Sequence, residues 1–82
     1  MSDFNIGDKV QYINPDATGD YEPLHKSKVV GTVVEIIEEL LDFKDSQGNH
    51  QLWPYMVYFP GFSKGSKDTY PCSNWEIKLV IN

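Results

Sequence analysis

The sequence predicts a mostly-β domain, a small five-stranded barrel spanning residues 1–82 as one unit. Three observations predict it. Short β-prone runs are separated by clusters of Asn, Asp, Gly, Pro and Ser. The middle of the chain is rich in β-branched residues, with four in the five positions Val33 to Ile37. A Gly-x-Val entry at Gly31 suits a strand of a curled sheet, which removes its own edges.

The elements follow in order. In FNIGDKVQYI, Gly7-Asp8 reads as a turn, and alternation of Val10 and Tyr12 against Lys9 and Gln11 predicts a strand over Lys9–Ile13. Asn14 to Lys28 has no periodicity and reads as a long loop, a feature that is often functional in a compact domain. A second strand is expected from about Val29 to Ile37, with Glu38 to Phe43 continuing it or forming a helical turn. Lys44 to Asn49 is a turn cluster. Tyr55 to Phe59 is a third strand, with Pro54 at its start, where a missing N–H is tolerated. On alternation, Tyr55, Val57 and Phe59 form its core face. PGFSKGSKD is a turn-rich loop, TYPCSNW holds a short strand and a tight turn, and EIKLVI closes the sheet with Ile77, Leu79 and Ile81 on one face.

One stretch competes with this reading. Val33, Ile36, Ile37, Leu40 and Leu41 have helical i, i+3, i+4 spacing, with Glu35, Glu38, Glu39 and Asp42 opposite them. Thr32 and Glu35 match a capping box. The alternative is therefore an α+β fold with a helix at about residues 32–43. Against it stand the β-branched run, Gly31 just before it, and the loss of a central strand.

The whole pattern resembles the SH3-like small barrels, a superfamily that includes Tudor, chromo-barrel and KOW domains. Gly7-Asp8-Lys9-Val10, Gly31 to Ile36, Tyr55 to Phe59 and Trp75 to Val80 carry the resemblance. In the chromo-barrel family an aromatic cage binds methylated lysine, and Phe59, Phe62, Tyr12 and Trp75 match its positions here. The barrel is also similar to small accessory subunits of electron-transfer complexes, which dock onto a larger protein and carry no cofactor.

Composition narrows function. The formal charge is −5 and all seven basic residues are lysine. Without the arginine fork, sequence-specific nucleic-acid binding is disfavoured. No apolar run approaches the roughly 20 residues that a bilayer span needs. MSDFNIGDK shows no basic or apolar leader region, and a lone Cys72 has no internal disulfide partner; both predict a reducing, cytoplasmic setting. No catalytic constellation is visible: His25 and His50 lie in loops, and no base is spaced to activate Cys72. One cysteine and two histidines without ligand spacing predict neither metal nor cofactor. GFSKGSKD fails the phosphate-loop pattern.

Aromatic residues exceed what so small a core absorbs. Trp53, Tyr58 and Phe62, with Tyr21 and Trp75, are the candidate partner-binding residues. Glu35, Glu38, Glu39 and Asp42 form an acidic face that would steer a partner with a basic patch. The expected function is a non-catalytic protein-interaction module or accessory subunit. Two alternatives stay open: a KOW-like nucleic-acid-associated module using Lys26, Lys28, Lys64 and Lys67 beside Tyr21 and Phe62, and an acidic inhibitor imitating a phosphate backbone.

Overall fold

The computed structural model describes residues 3–41, 53–65 and 68–80. The fold is mostly β. Five strands, β1 (Lys9–Tyr12), β2 (Val30–Ile36), β3 (Tyr55–Tyr58), β4 (Tyr70–Cys72) and β5 (Ile77–Leu79), form one antiparallel sheet in the order β4-β3-β2-β1-β5. The turn before β1 is closed by the Asp8 amide donating to the Asn5 carbonyl at 3.0 Å, and the Gly7 amide ties it to β2 by donating to the Val33 carbonyl at 2.7 Å.

The sheet is open among the described residues, with β4 and β5 as its edges. It is also strongly curled. Five flat strands would hold their edges about 19 Å apart, four spacings of about 4.8 Å. Yet only residues 73–76 connect Cys72 to Ile77, and the Glu76 amide donates to the Ser73 carbonyl at 3.1 Å within that link. A link so folded reaches well short of 19 Å, so the strands bend round to bring the edges together.

The stretch with helical spacing is a strand, and its spacing has a cause. Val33 pairs with Val57 and Ile36 with Tyr55, while the register shifts between Val33 and Glu35. This β-bulge adds one residue to β2. Val33 is buried, Val34 and Glu35 are both exposed, and Ile36 turns back toward the core. The i, i+3 step that imitates a helix is thus an alternating strand with a bulge. No helix begins at Thr32, because β2 runs on to Ile36. Helical geometry begins only at Glu38, in a four-residue helix, α2 (Glu38–Leu41).

The core gathers Val10, Tyr12, Val33, Tyr55, Val57, Phe59, Cys72 and Ile77 from the sheet, with Phe4 and Leu24 added from outside it. Tyr55, Val57 and Phe59 all point inward, as alternation predicts. Gly31 explains its own place. A Cβ there would stand 2.7 Å from Phe59 Cδ1 and Val57 Cγ1, closer than contact allows. The missing side chain lets the Phe59 ring lie against the β2 backbone.

Two expectations are corrected. Asn14 to Lys28 is not all loop: it holds a 3₁₀ turn (Gly19–Tyr21) and a short helix, α1 (Glu22–Ser27). Pro23 sits in its first turn, where no amide is needed, and Leu24 buries itself in the core. Leu79 shares the face of Ile77, opposite Val10 on β1, but is not part of the buried core; it is 47% exposed at the sheet edge. The turn cluster at 44–49, Asp42 and Ile81 lie outside the described residues.

Candidate functional site

Residues 14–21 fold over one side of the sheet and carry Tyr21 with them. The Asp16 amide donates to Asn14 Oδ1 at 3.0 Å and the Tyr21 amide donates to the Thr18 carbonyl at 3.2 Å. These turns set the Tyr21 ring between two strands that do not pair. Its hydroxyl donates to the Pro71 carbonyl on β4 at 2.7 Å. Its ring lies 5.2 Å from that of Tyr12 on β1 and 5.5 Å from that of Tyr70 on β4, edge to face with the latter. Tyr70 in turn meets Phe59 edge to face at 5.7 Å. A row of four rings therefore runs from β1 across the 14–28 segment to β4 and the core.

Two cavities adjoin this row, and Tyr21 and Pro71 belong to the walls of both. The smaller, of about 350 Å³, lies between Tyr12, Tyr21 and Trp53, with Asp16 and Glu76 supplying carboxylates. The larger, of about 470 Å³, lies between Tyr21, Phe62 and Tyr70, with Asp20, Asp68 and Lys64 around it. Both fall in the size range of ligand clefts.

Glu76 anchors the smaller cavity. It is 6% exposed, and its carboxylate accepts the Tyr12 hydroxyl at 2.6 Å and the Ser73 amide at 2.9 Å. One side chain thus ties β1 to the link between β4 and β5. Lys64 and Asp68 are held by a loop of their own, in which the Lys64 amide donates to Asp68 Oδ2 at 2.7 Å.

The tyrosines report the local field. Burial pushes the Tyr12 phenol up, and hydrogen bonding to Glu76 pushes it further. Burial also raises Tyr21, followed by the Cys72 thiol and Glu76. Tyr70 is raised by burial and then by the carboxylates of Asp20 and Asp68. Neutral phenols are favoured in the fold, whereas the unfolded chain releases these protons near the ordinary value of 10.0. The stability they lend is complete below about pH 10 and is lost as pH rises above it. In an alkaline titration we expect phenolate absorbance from Tyr12 and Tyr21 to appear only as the fold is lost. Ionisation of Tyr12 and Tyr21 near pH 10 with the fold intact would contradict this placement.

The structure sorts the residues that sequence singled out. Tyr21, Trp53 and Phe62 come together around the paired cavities, and Trp53 is 48% exposed there. Trp75 lies in the β4–β5 link, exposed, and lines neither cavity. Tyr58 stands half-buried on β3, opposite Thr32. Glu35, Glu38 and Glu39 are exposed at the end of β2 and the start of α2. The cage positions implied by the chromo-barrel resemblance do not assemble, because Phe59 is fully buried in the core and Trp75 lies elsewhere. Sequence reasoning missed Glu76, Tyr70, Asp16, Asp20 and Asp68 as site residues. The only local signal was the density of tyrosine and aspartate around residues 16–21 and 68–70.

Cys72 is buried, and its thiol is pushed up by burial and, secondarily, by Glu76. Such a thiol is a poor nucleophile. Among the described residues no three His, Cys, Asp or Glu side chains converge as metal ligands. No helix among them is long and apolar enough to cross a membrane.

No family model, curated protein or solved structure matches the chain.

Proposed function

We propose that this chain is a non-catalytic protein-interaction module, an SH3-like barrel that receives a partner protein along the paired cavities on either side of Tyr21. The observation that carries the reading is the convergence of Tyr21, Trp53 and Phe62 at one concave surface, outside the fully buried core. Aromatic walls offer large contact area at small entropy cost. The barrel assignment draws support from the last strand returning to pair with the first, and from the short link joining the two sheet edges.

Charge supports a basic partner. The chain carries −5, and Glu35, Glu38 and Glu39 are exposed, so they steer approach and set on-rate more than affinity. A cytoplasmic setting suits the unpaired Cys72. The nucleic-acid reading draws less support. Lys26 is engaged with Glu22 at 2.6 Å, and Lys28 lies beside another depression with His25 and Lys78. Of the four lysines considered, Lys64 alone is seen beside Tyr21 and Phe62, with Lys67 outside the described residues.

The test is a pair of variants measured twice. Immobilised protein is challenged with nuclease-treated host lysate at low and high salt, and the recovered protein is purified. Trp53→Ala and Phe62→Ala are each expected to cost about 2 kcal/mol or more of binding. Their melts should move by no more than about 1–2 kcal/mol, since Trp53 is half-exposed and Phe62 only packs against the outside of the core. A partner that binds both variants as tightly as the parent, or one that disappears with nuclease, contradicts the reading.

A further inference from the structure

We infer that the smaller cavity is a pocket for an arginine side chain of the partner. This deepens the docking reading and rests on it. The cavity juxtaposes three aromatic rings, Tyr12, Tyr21 and Trp53, with two carboxylates, Asp16 and Glu76, and no lysine or histidine is among its described lining residues. Such a wall attracts a cation twice, through the accessible rings of Tyr21 and Trp53 and through the carboxylates. Two of the rings are held in place before any ligand arrives, Tyr12 almost fully buried behind the partly exposed Tyr21 and the half-exposed Trp53. Tyr21 is pinned by its bond to Pro71, and Tyr12 by its bond to Glu76.

Arginine fits this surface better than lysine. A guanidinium is flat, stacks on aromatic rings, and is more weakly hydrated than an ammonium, so less is lost when it leaves water. Glu76 already accepts from Tyr12 and Ser73, with Asn14 Nδ2 at 3.4 Å. A carboxylate has about four acceptor sites, so capacity for a further donor remains. Asp16 is exposed and adds the second charge. The larger cavity shares the Tyr21–Pro71 wall, so a chain entering the first pocket can continue over the second. This favours a residue within a polypeptide over a free small cation.

Trp53 provides the readout. The chain has two tryptophans, and Trp75 lines neither cavity, so Trp75→Phe leaves Trp53 as the only indole. The probe is a blocked Gly-Ser-Arg-Ser-Gly peptide, compared with versions carrying citrulline or lysine in place of arginine. We expect a saturable Trp53 fluorescence change with the arginine peptide, binding about tenfold or more tighter than the citrulline peptide, with lysine in between. Asp16→Asn, at an exposed position, is expected to weaken the arginine peptide about threefold or more, and high salt to do the same. Equal responses to arginine and citrulline, or an unchanged response in Asp16→Asn, overturn the assignment. The two readings separate cleanly. If the lysate partner depends on Trp53 and Phe62 but the arginine and citrulline peptides behave alike, the arginine pocket is wrong and the docking reading stands. If the arginine peptide binds selectively but no protein partner depends on those residues, the pocket stands and the docking reading is wrong.

Discussion

Phe59→Ala is expected to leave the domain largely unfolded at room temperature. The ring is fully buried, lies against the β2 backbone over Gly31, and meets Tyr70 edge to face. Its neighbours Gly31 and Tyr70 belong to two different strands, β2 and β4, so the space left behind cannot collapse without shifting the sheet. Truncation of such a phenylalanine costs about 3–5 kcal/mol. A domain of this size holds about 5 kcal/mol in all. A urea melt of Phe59→Ala should therefore show little or no native baseline. A midpoint within about 1 kcal/mol of the parent would mean that the ring is peripheral, and that the bulged register of β2 against β3 is misplaced.

Glu76→Ala should be the most damaging polar substitution, at about 3 kcal/mol. The carboxylate accepts a buried hydroxyl from β1 and an amide from the link that joins the two sheet edges. Bonds to a charged acceptor contribute about 1.5–3 kcal/mol each, and loss of the acceptor leaves the Tyr12 hydroxyl poorly satisfied inside the fold. Removing the carboxylate also ends its desolvation cost, which holds the total below the sum of the bonds. Glu76→Gln keeps the shape and an acceptor oxygen, and should cost less than half as much. Equal melts for the parent and Glu76→Ala would show that the link closes without this anchor.

The contrast between these two residues explains what was legible in the sequence. Phe59 was readable as core because alternation along Tyr55 to Phe59 is a local signal, and the strand obeys it. The residues Val33 and Ile36 pointed two ways. Their spacing matched a helix, while their branching matched a strand. The bulge accounts for both, since it places one extra residue between two inward positions. No single-sequence pattern marks a bulge that lacks glycine. Helix α1 was hidden for another reason: six residues with one buried side chain, Leu24, are too few to show a period, and Pro23 reads as a breaker unless its place in the first turn is known.

The site was legible only in part. Tyr21, Trp53 and Phe62 were visible as surplus aromatics beside turns. Their common location was not, because it depends on contacts far apart in the chain. Tyr12 and Glu76 are separated by 64 residues, and Tyr21 and Pro71 by 50. Glu76 carried no signal at all, as a glutamate preceding an alternating strand normally faces water. Composition pointed to an acidic surface; among its residues Glu35, Glu38 and Glu39 are exposed. Carboxylates set beside the tyrosine row emerge only once the sheet has curled.

The most direct test of the proposed docking surface is amide shift mapping. Isotope-labelled protein is titrated with the purified partner, and perturbed amides are placed on the fold. One contiguous set is expected to move: residues 14–21, Trp53, Phe62 to Lys64, Asp68 to Cys72 and Glu76, with the effect weakened at high salt. Perturbations confined to Glu35–Glu39 and the Tyr58 side of β3, with the Tyr21 region unmoved, would contradict it.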